Sequence, residues 1–159
     1  MWIFYLFANR TQRFVAAQAL AMAFLDRVGS VFLGSNYHSY RRNDVYAYQI
    51  VGSTAKQPIC RVVPICVDER SHCGDGSWVA AISAGWLRAN PLPQGDPPRK
   101  VSKGQDMRSL RVARPYANDT RVAVTVPNTT GDYGGPVRLY LYTLEEALDK
   151  RFSGSYCAY

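Results

Sequence analysis

Val45-Tyr-Ala-Tyr-Gln-Ile-Val51 sets Tyr46, Tyr48 and Ile50 on one side and Val45, Ala47, Gln49 and Val51 on the other. A period of two marks an extended strand, whose successive side chains point to opposite faces of a sheet. After the turn-rich Gly52-Ser-Thr-Ala-Lys-Gln-Pro58, Ile59 to Val67 continues the alternation. The two runs read as an antiparallel pair. Pro64 lacks a ladder donor, so its strand is expected at an edge or at a bulge. An edge strand presents unpaired backbone groups to a partner.

Outward from this pair, Arg121–Val126 and Val137–Tyr142 alternate in the same way across Pro127–Pro136, which predicts a hairpin with a wide loop. Thr143-Leu-Glu-Glu146 then forms a capping box, with a hydroxyl at the N-cap and a carboxylate three residues on, predicting a short C-terminal helix at about 144–152 before Gly154. Toward the N-terminus, Phe14, Ala17, Leu20, Ala21, Phe24, Leu25 and Val28 recur at helical spacing between Thr11 and Gly29. This predicts an N-terminal helix at about 12–28. Val31–Leu33 reads as a short strand, 34–44 as a polar loop, Asp68–Ser77 as a turn-rich connection and Trp78–Leu87 as a strand.

Ala89 to Gln105 holds Pro91, Pro93, Pro97 and Pro98. That density of fixed φ angles and missing donors excludes regular structure, so a long surface loop or arm is expected at about 89–105. Hydrophobic residues make up 47% of the 159 and charged residues 19%, which excludes a disordered chain. The expectation is one α+β domain over 1–159, mainly antiparallel sheet. The apolar Met1–Ala8 is far shorter than the roughly 20 residues of a membrane span, so no transmembrane span is expected.

Chemistry-bearing residues are sparse. Cys60, Cys66, Cys73 and Cys157 lack the paired two-to-four spacing of a structural zinc site, and no metal is expected. His38 and His72 are the only histidines, and neither sits in a nucleophile–base pattern. Thr130-Gly-Asp-Tyr-Gly-Gly135 lacks the spacing of a phosphate loop, so no cofactor is expected. Val31-Phe-Leu-Gly-Ser-Asn-Tyr37 followed by Val45-Tyr-Ala-Tyr-Gln-Ile50 resembles the Ser-containing, Tyr-rich strand pair of ADP-ribosyltransferase toxins. The Gln/Glu-x-Glu signature of that family is absent, and none of its site residues is carried over. Asn9, Asn118 and Asn128 open glycosylation tripeptides, which matter only in a secreted chain.

Charge and aromatic content say more. The net charge is +7, and residues 88 to 121 carry eight basic groups against three acidic ones. A local surplus of that kind attracts anionic partners. Two candidate surfaces follow. Tyr40, Arg41, Arg42, Tyr46 and Tyr48 interleave cations with rings, the combination that contacts phosphates and stacks bases. Arg99, Lys100 and Lys103 lie in the Pro-rich stretch, while Arg108, Arg111 and Arg114 recur every third residue, which would align them along a helix or a polyproline-like strand.

The expected function is a non-enzymatic binding or structural subunit that docks through this surface onto RNA, DNA or an acidic protein within a larger assembly. Two alternatives are a small toxin-like transferase or hydrolase near Cys73 or Ser35–Tyr48, and a coat-type subunit that self-assembles through its edge strand and arm.

Overall fold

The alternating residues 45–51, 59–62, 123–126 and 137–142 fall in one sheet. A computed structural model describes residues 24–35, 45–53, 58–72, 75–94, 110–114, 118–126 and 137–157. In chain order the elements are β1 (Val31–Ser35), β2 (Val45–Ser53), β3 (Pro58–Val62), β4 (Ile65–His72), β5 (Asp75–Ile82), α1 (Ala84–Ala89), β6 (Arg111–Ala113), β7 (Ala123–Val126), β8 (Val137–Tyr142), α2 (Leu144–Asp149) and β9 (Phe152–Cys157). They build a six-stranded sheet in the order β3-β2-β1-β8-β7-β6 and a three-stranded sheet in the order β4-β5-β9, all pairings antiparallel. No helix among the described residues is long and apolar enough to cross a membrane.

β1 is buried along four of its five residues because both faces of the large sheet are covered. One face holds Phe32, Ile50, Cys60, Val124, Leu139 and Leu141, with Phe24 and Leu110 packed over them. The opposite face carries Val31, Leu33, Val45 and Ala47 against Ala80 and Ile82 of the small sheet and Ala147 of α2. Burial on this scale, at roughly 25 cal/mol per Å² of apolar surface, is the main force joining the sheets. Gly34 lets β1 approach β8, since a Cβ there would sit 2.4 Å from the Arg138 carbonyl oxygen.

Pro64 marks the crossing between sheets. The chain leaves the edge strand β3 at Val63, whose N–H donates to Ala47, turns at Pro64, whose carbonyl accepts from Ser83, and enters the edge strand β4. The run read as one strand over 59–67 is therefore two strands in different sheets. The bulge lies in β2, where the register shifts between Ile50 and Gly52.

Other expectations are corrected. Of the helix expected at 12–28, residues 12–23 lie outside the described residues; Phe24 and Leu25 are helical, and 26–29 form a turn. There the Arg27 N–H bonds Phe24 O and the Ser30 N–H bonds Arg27 O, while Gly29, at φ 95°, donates to Ile50 O instead of continuing a helix. An N-terminal helix is thus not shown, and the first complete helix among the described residues is α1. The C-terminal helix ends at Asp149 rather than 152, because Phe152–Cys157 pairs with β5. Asp68–Ser77 is mostly strand, as β4 and β5 pair from Ile65↔Ile82 to His72↔Asp75. Trp78–Leu87 divides at Ser83, whose hydroxyl accepts from the Trp86 N–H and starts α1.

Candidate anion-binding site

The end of β8 gathers cations around one ring. Alternation buries Val137, Leu139 and Leu141 and turns Arg138, Tyr140 and Tyr142 to the other face. Tyr142 is followed by Thr143, whose hydroxyl accepts from the Glu146 N–H at 3.2 Å and caps α2 as the capping box predicts. The Arg121 guanidinium carbon lies 4.8 Å from the Tyr142 ring centroid, and the Lys150 ammonium lies 5.8 Å from it. Both distances are within cation–π range. Lys150 also sits 5.6 Å from the Phe152 ring.

Asp119 positions Arg121 twice. Its Oδ1 accepts from the Arg121 backbone N–H at 2.9 Å and lies 3.6 Å from the guanidinium Nη1. The pair is partly exposed, so it contributes at most about 1 kcal/mol and serves mainly to aim the side chain. The Tyr142 phenol is raised above its ordinary pKa, first by burial and then by Asp119, Tyr140 and Glu146, with Arg121 opposing. It is therefore a neutral hydrogen-bonding group at physiological pH.

A shallow cleft of about 420 Å³ opens beside the ring. Val122, Leu141 and Tyr142 line it together with two guanidinium-bearing residues, Arg27 and Arg121. Ser30, Thr120 and Thr143 add hydroxyls, and Glu146 adds a carboxylate. The register Ala113↔Ala123 brings Arg114 to the same end of the sheet, since Arg114 follows Ala113 just as Val122 precedes Ala123. Arg111 and Arg114 are exposed along the edge strand β6, with Val112 63% exposed between them.

A second cation is buried. Arg61, 6% exposed, donates from Nε and Nη2 to Gln49 Oε1, from Nη2 to Asn90 O and from Nη1 to Pro91 O. Its guanidinium lies 5.0 Å from the Trp86 ring centroid, and Gln49 Nε2 donates to Gly29 O. Burial draws its pKa below the usual guanidinium value. The group fixes the C-terminal end of α1, where the Pro-rich stretch begins.

Of the residues expected from the sequence, Tyr46, Tyr48, Arg111 and Arg114 are described, the first two in β2 and the others at β6. Arg111 opens the edge strand β6 and Arg114 directly follows it, both exposed, so Arg111 stands in a strand and not on a helix or a polyproline-like segment. Tyr46 and Tyr48 are half-buried and pack against the core beneath Phe24 and Leu110. Burial is also the leading cause that raises the Tyr48 phenol. Tyr40, Arg41, Arg42, Arg99, Lys100, Lys103 and Arg108 lie outside the described residues, as do His38, Cys73 and most of the arm. Cys60 is buried in β3 and its thiol is pushed up to about 12, whereas Cys66 is exposed in β4, so the two do not share a strand.

Compared with protein-family models, curated proteins and solved structures, the chain matches none.

Arg27, Arg121, Tyr142, Lys150 and the Gln49–Arg61 pair are not among the residues that sequence reading selects. A signal existed for part of the cluster: Asp119-Thr-Arg121 is an aspartate-led turn before an alternating strand, and Lys150 stands at the far end of the helix that Tyr142 precedes. Nothing in the sequence brings Arg27 to them.

Proposed function

We propose that the chain is a binding subunit of a larger assembly that docks onto single-stranded nucleic acid through a basic, aromatic surface at the β6–β7 end of the large sheet. The observation that carries this reading is the meeting of Arg27, Arg114 and Arg121 at one end of the sheet beside Tyr142, with Arg111 on the same edge strand. Exposed arginines along a strand edge track a phosphate backbone without reading sequence, and their affinity comes from released counterions. The surplus of positive charge over residues 88–121, and Arg41 with Arg42 in the sequence, add to the same attraction.

Titration of a fluorescent single-stranded oligonucleotide at increasing salt tests the reading. Affinity should fall steeply with salt, and the double substitution Arg111→Gln, Arg114→Gln should weaken it. If polyglutamate competes as well as the oligonucleotide, the partner is an acidic protein instead. Absence of salt-dependent binding to either polymer would remove the proposal.

A further inference from the structure

Cations alone do not describe the cleft between Arg27 and Arg121. A surface built only to follow a phosphate backbone has no use for a carboxylate, yet Glu146 stands in the lining with the two arginines. Carboxylates accept hydrogen bonds, and the natural donors beside a phosphate are the hydroxyls of a sugar. Arg121 has donors to give, since its contact with Asp119 engages one Nη1 of a five-donor fork. Arg27 forms no ion pair with a described residue. Ser30, Thr120 and Thr143 are also in the lining, and hydroxyl side chains are among the groups that contact phosphate oxygens. A volume of about 420 Å³ lies within the roughly 300–1,000 Å³ typical of small-ligand sites.

We propose that this cleft holds a ribose phosphate, with the phosphate between Arg27 and Arg121 and a sugar hydroxyl on Glu146, as presented by the 5′-phosphorylated end of an RNA strand. The inference rests on the nucleic-acid reading above but adds an end-specific, sugar-specific site to it. Because only ribose carries a 2′-hydroxyl, the carboxylate is placed to favour RNA over DNA. Tyr142, its ring already engaged by Arg121 and Lys150, forms a wall of the site and is not a platform for the base.

The test compares four ten-nucleotide strands of one sequence, RNA and DNA, each with and without a 5′-phosphate, and adds adenosine monophosphate and adenosine as free ligands. The 5′-phosphate should tighten RNA binding about tenfold, the increment of one charge-assisted contact. Arg27→Ala and Arg121→Ala should each abolish that increment, and Arg27→Lys should restore part of it in a fold verified by circular dichroism. Glu146→Ala should erase the RNA preference while leaving the phosphate increment in place. Adenosine monophosphate should bind and adenosine should not.

Equal affinity for phosphorylated and unphosphorylated RNA, with steep salt dependence retained, would overturn the cleft assignment and leave the polymer reading standing. Binding of the monophosphate without binding of any strand would support the cleft and overturn the polymer reading. An increment that survives both arginine substitutions would also overturn the assignment.

Discussion

Arg61 donates from both Nε and Nη2 to one oxygen, Gln49 Oε1, at 2.9 and 2.7 Å. The pair lies directly across the β2–β3 ladder, where Gln49 faces Arg61 in register. It spans three parts of the fold, because Gln49 reaches Gly29 O while Arg61 reaches Asn90 O and Pro91 O. A buried guanidinium held by neutral oxygens depends on all of them, since each missing partner leaves a desolvated polar group.

Arg61→Ala should therefore destabilise the protein by about 2–4 kcal/mol, as removal of one member strands the Gln49 amide and two carbonyls. Arg61→Met, which keeps the volume, should cost less. Gln49→Leu combined with Arg61→Met should be milder than the sum of the two single changes. Urea unfolding measures all four variants, and an Arg61→Ala midpoint equal to that of wild type would remove the network from the account.

Trp78 and Gly154 face each other across the β5–β9 pair, and a Cβ on Gly154 would sit 2.4 Å from the indole. Gly154→Ala should cost about 1–3 kcal/mol by overpacking, and Gly154→Val more. The cost should fall when Trp78→Phe is added, because the smaller ring vacates part of the contact. Thermal melting of the three variants checks this, and a Gly154→Val protein as stable as wild type would contradict the pairing.

Cys60 and Cys66 should behave as opposites toward thiol reagents. At pH 8 the exposed Cys66 should be alkylated promptly while Cys60, buried with a thiol pushed up to about 12, reacts only after denaturation. Peptide mapping by mass spectrometry reads the order. The same shift sets a pH dependence. The folded pKa lies above the ordinary value of 9.0, so the stability tied to the neutral thiol is fully present below about 9 and is lost as pH rises toward about 12. The raised phenols of Tyr48 and Tyr142 act in the same sense. Cys60→Val should flatten the decline, and an unchanged alkaline slope would rule out Cys60 as its source.

These residues also show what the sequence can and cannot carry. The β2–β3 and β7–β8 pairs were legible from the alternation along β2 and β8, although the run from Ile59 to Val67 is cut at Pro64, and the α2 cap was legible because Thr143 and Glu146 interact within one turn. The small sheet was not. Asp68, Glu69 and Arg70 of its edge strand β4 are exposed, so the strand has the composition of a turn. The Ser153-Gly-Ser155 centre of β9 also looks like a turn until Trp78 is seen to need the space above Gly154. The six residues of α1 are too few to display a helical period, and only Ser83 announces them.

For the site, the basic character of 88–121 was readable, and of the residues it singled out, Arg111 and Arg114 are described, at the edge strand β6. The cleft was not, because its parts come from positions 27–30, 120–122 and 141–146, brought together only when β1 pairs with β8 and β8 with β7. Sequence-local clustering also points to Tyr46 and Tyr48, which are half-buried and pack in part against the core.

If the arginines of the β6–β7 end act as one phosphate-binding surface, as proposed, the salt slope of single-strand binding depends on them. Each phosphate contact contributes roughly 0.7 to the slope of log K against log salt concentration for a single strand. Replacing Arg111, Arg114 and Arg121 together with glutamine should thus lower the slope by about 2, with the melting temperature close to wild type. A triple variant that binds with the wild-type slope would show that these arginines do not hold the strand.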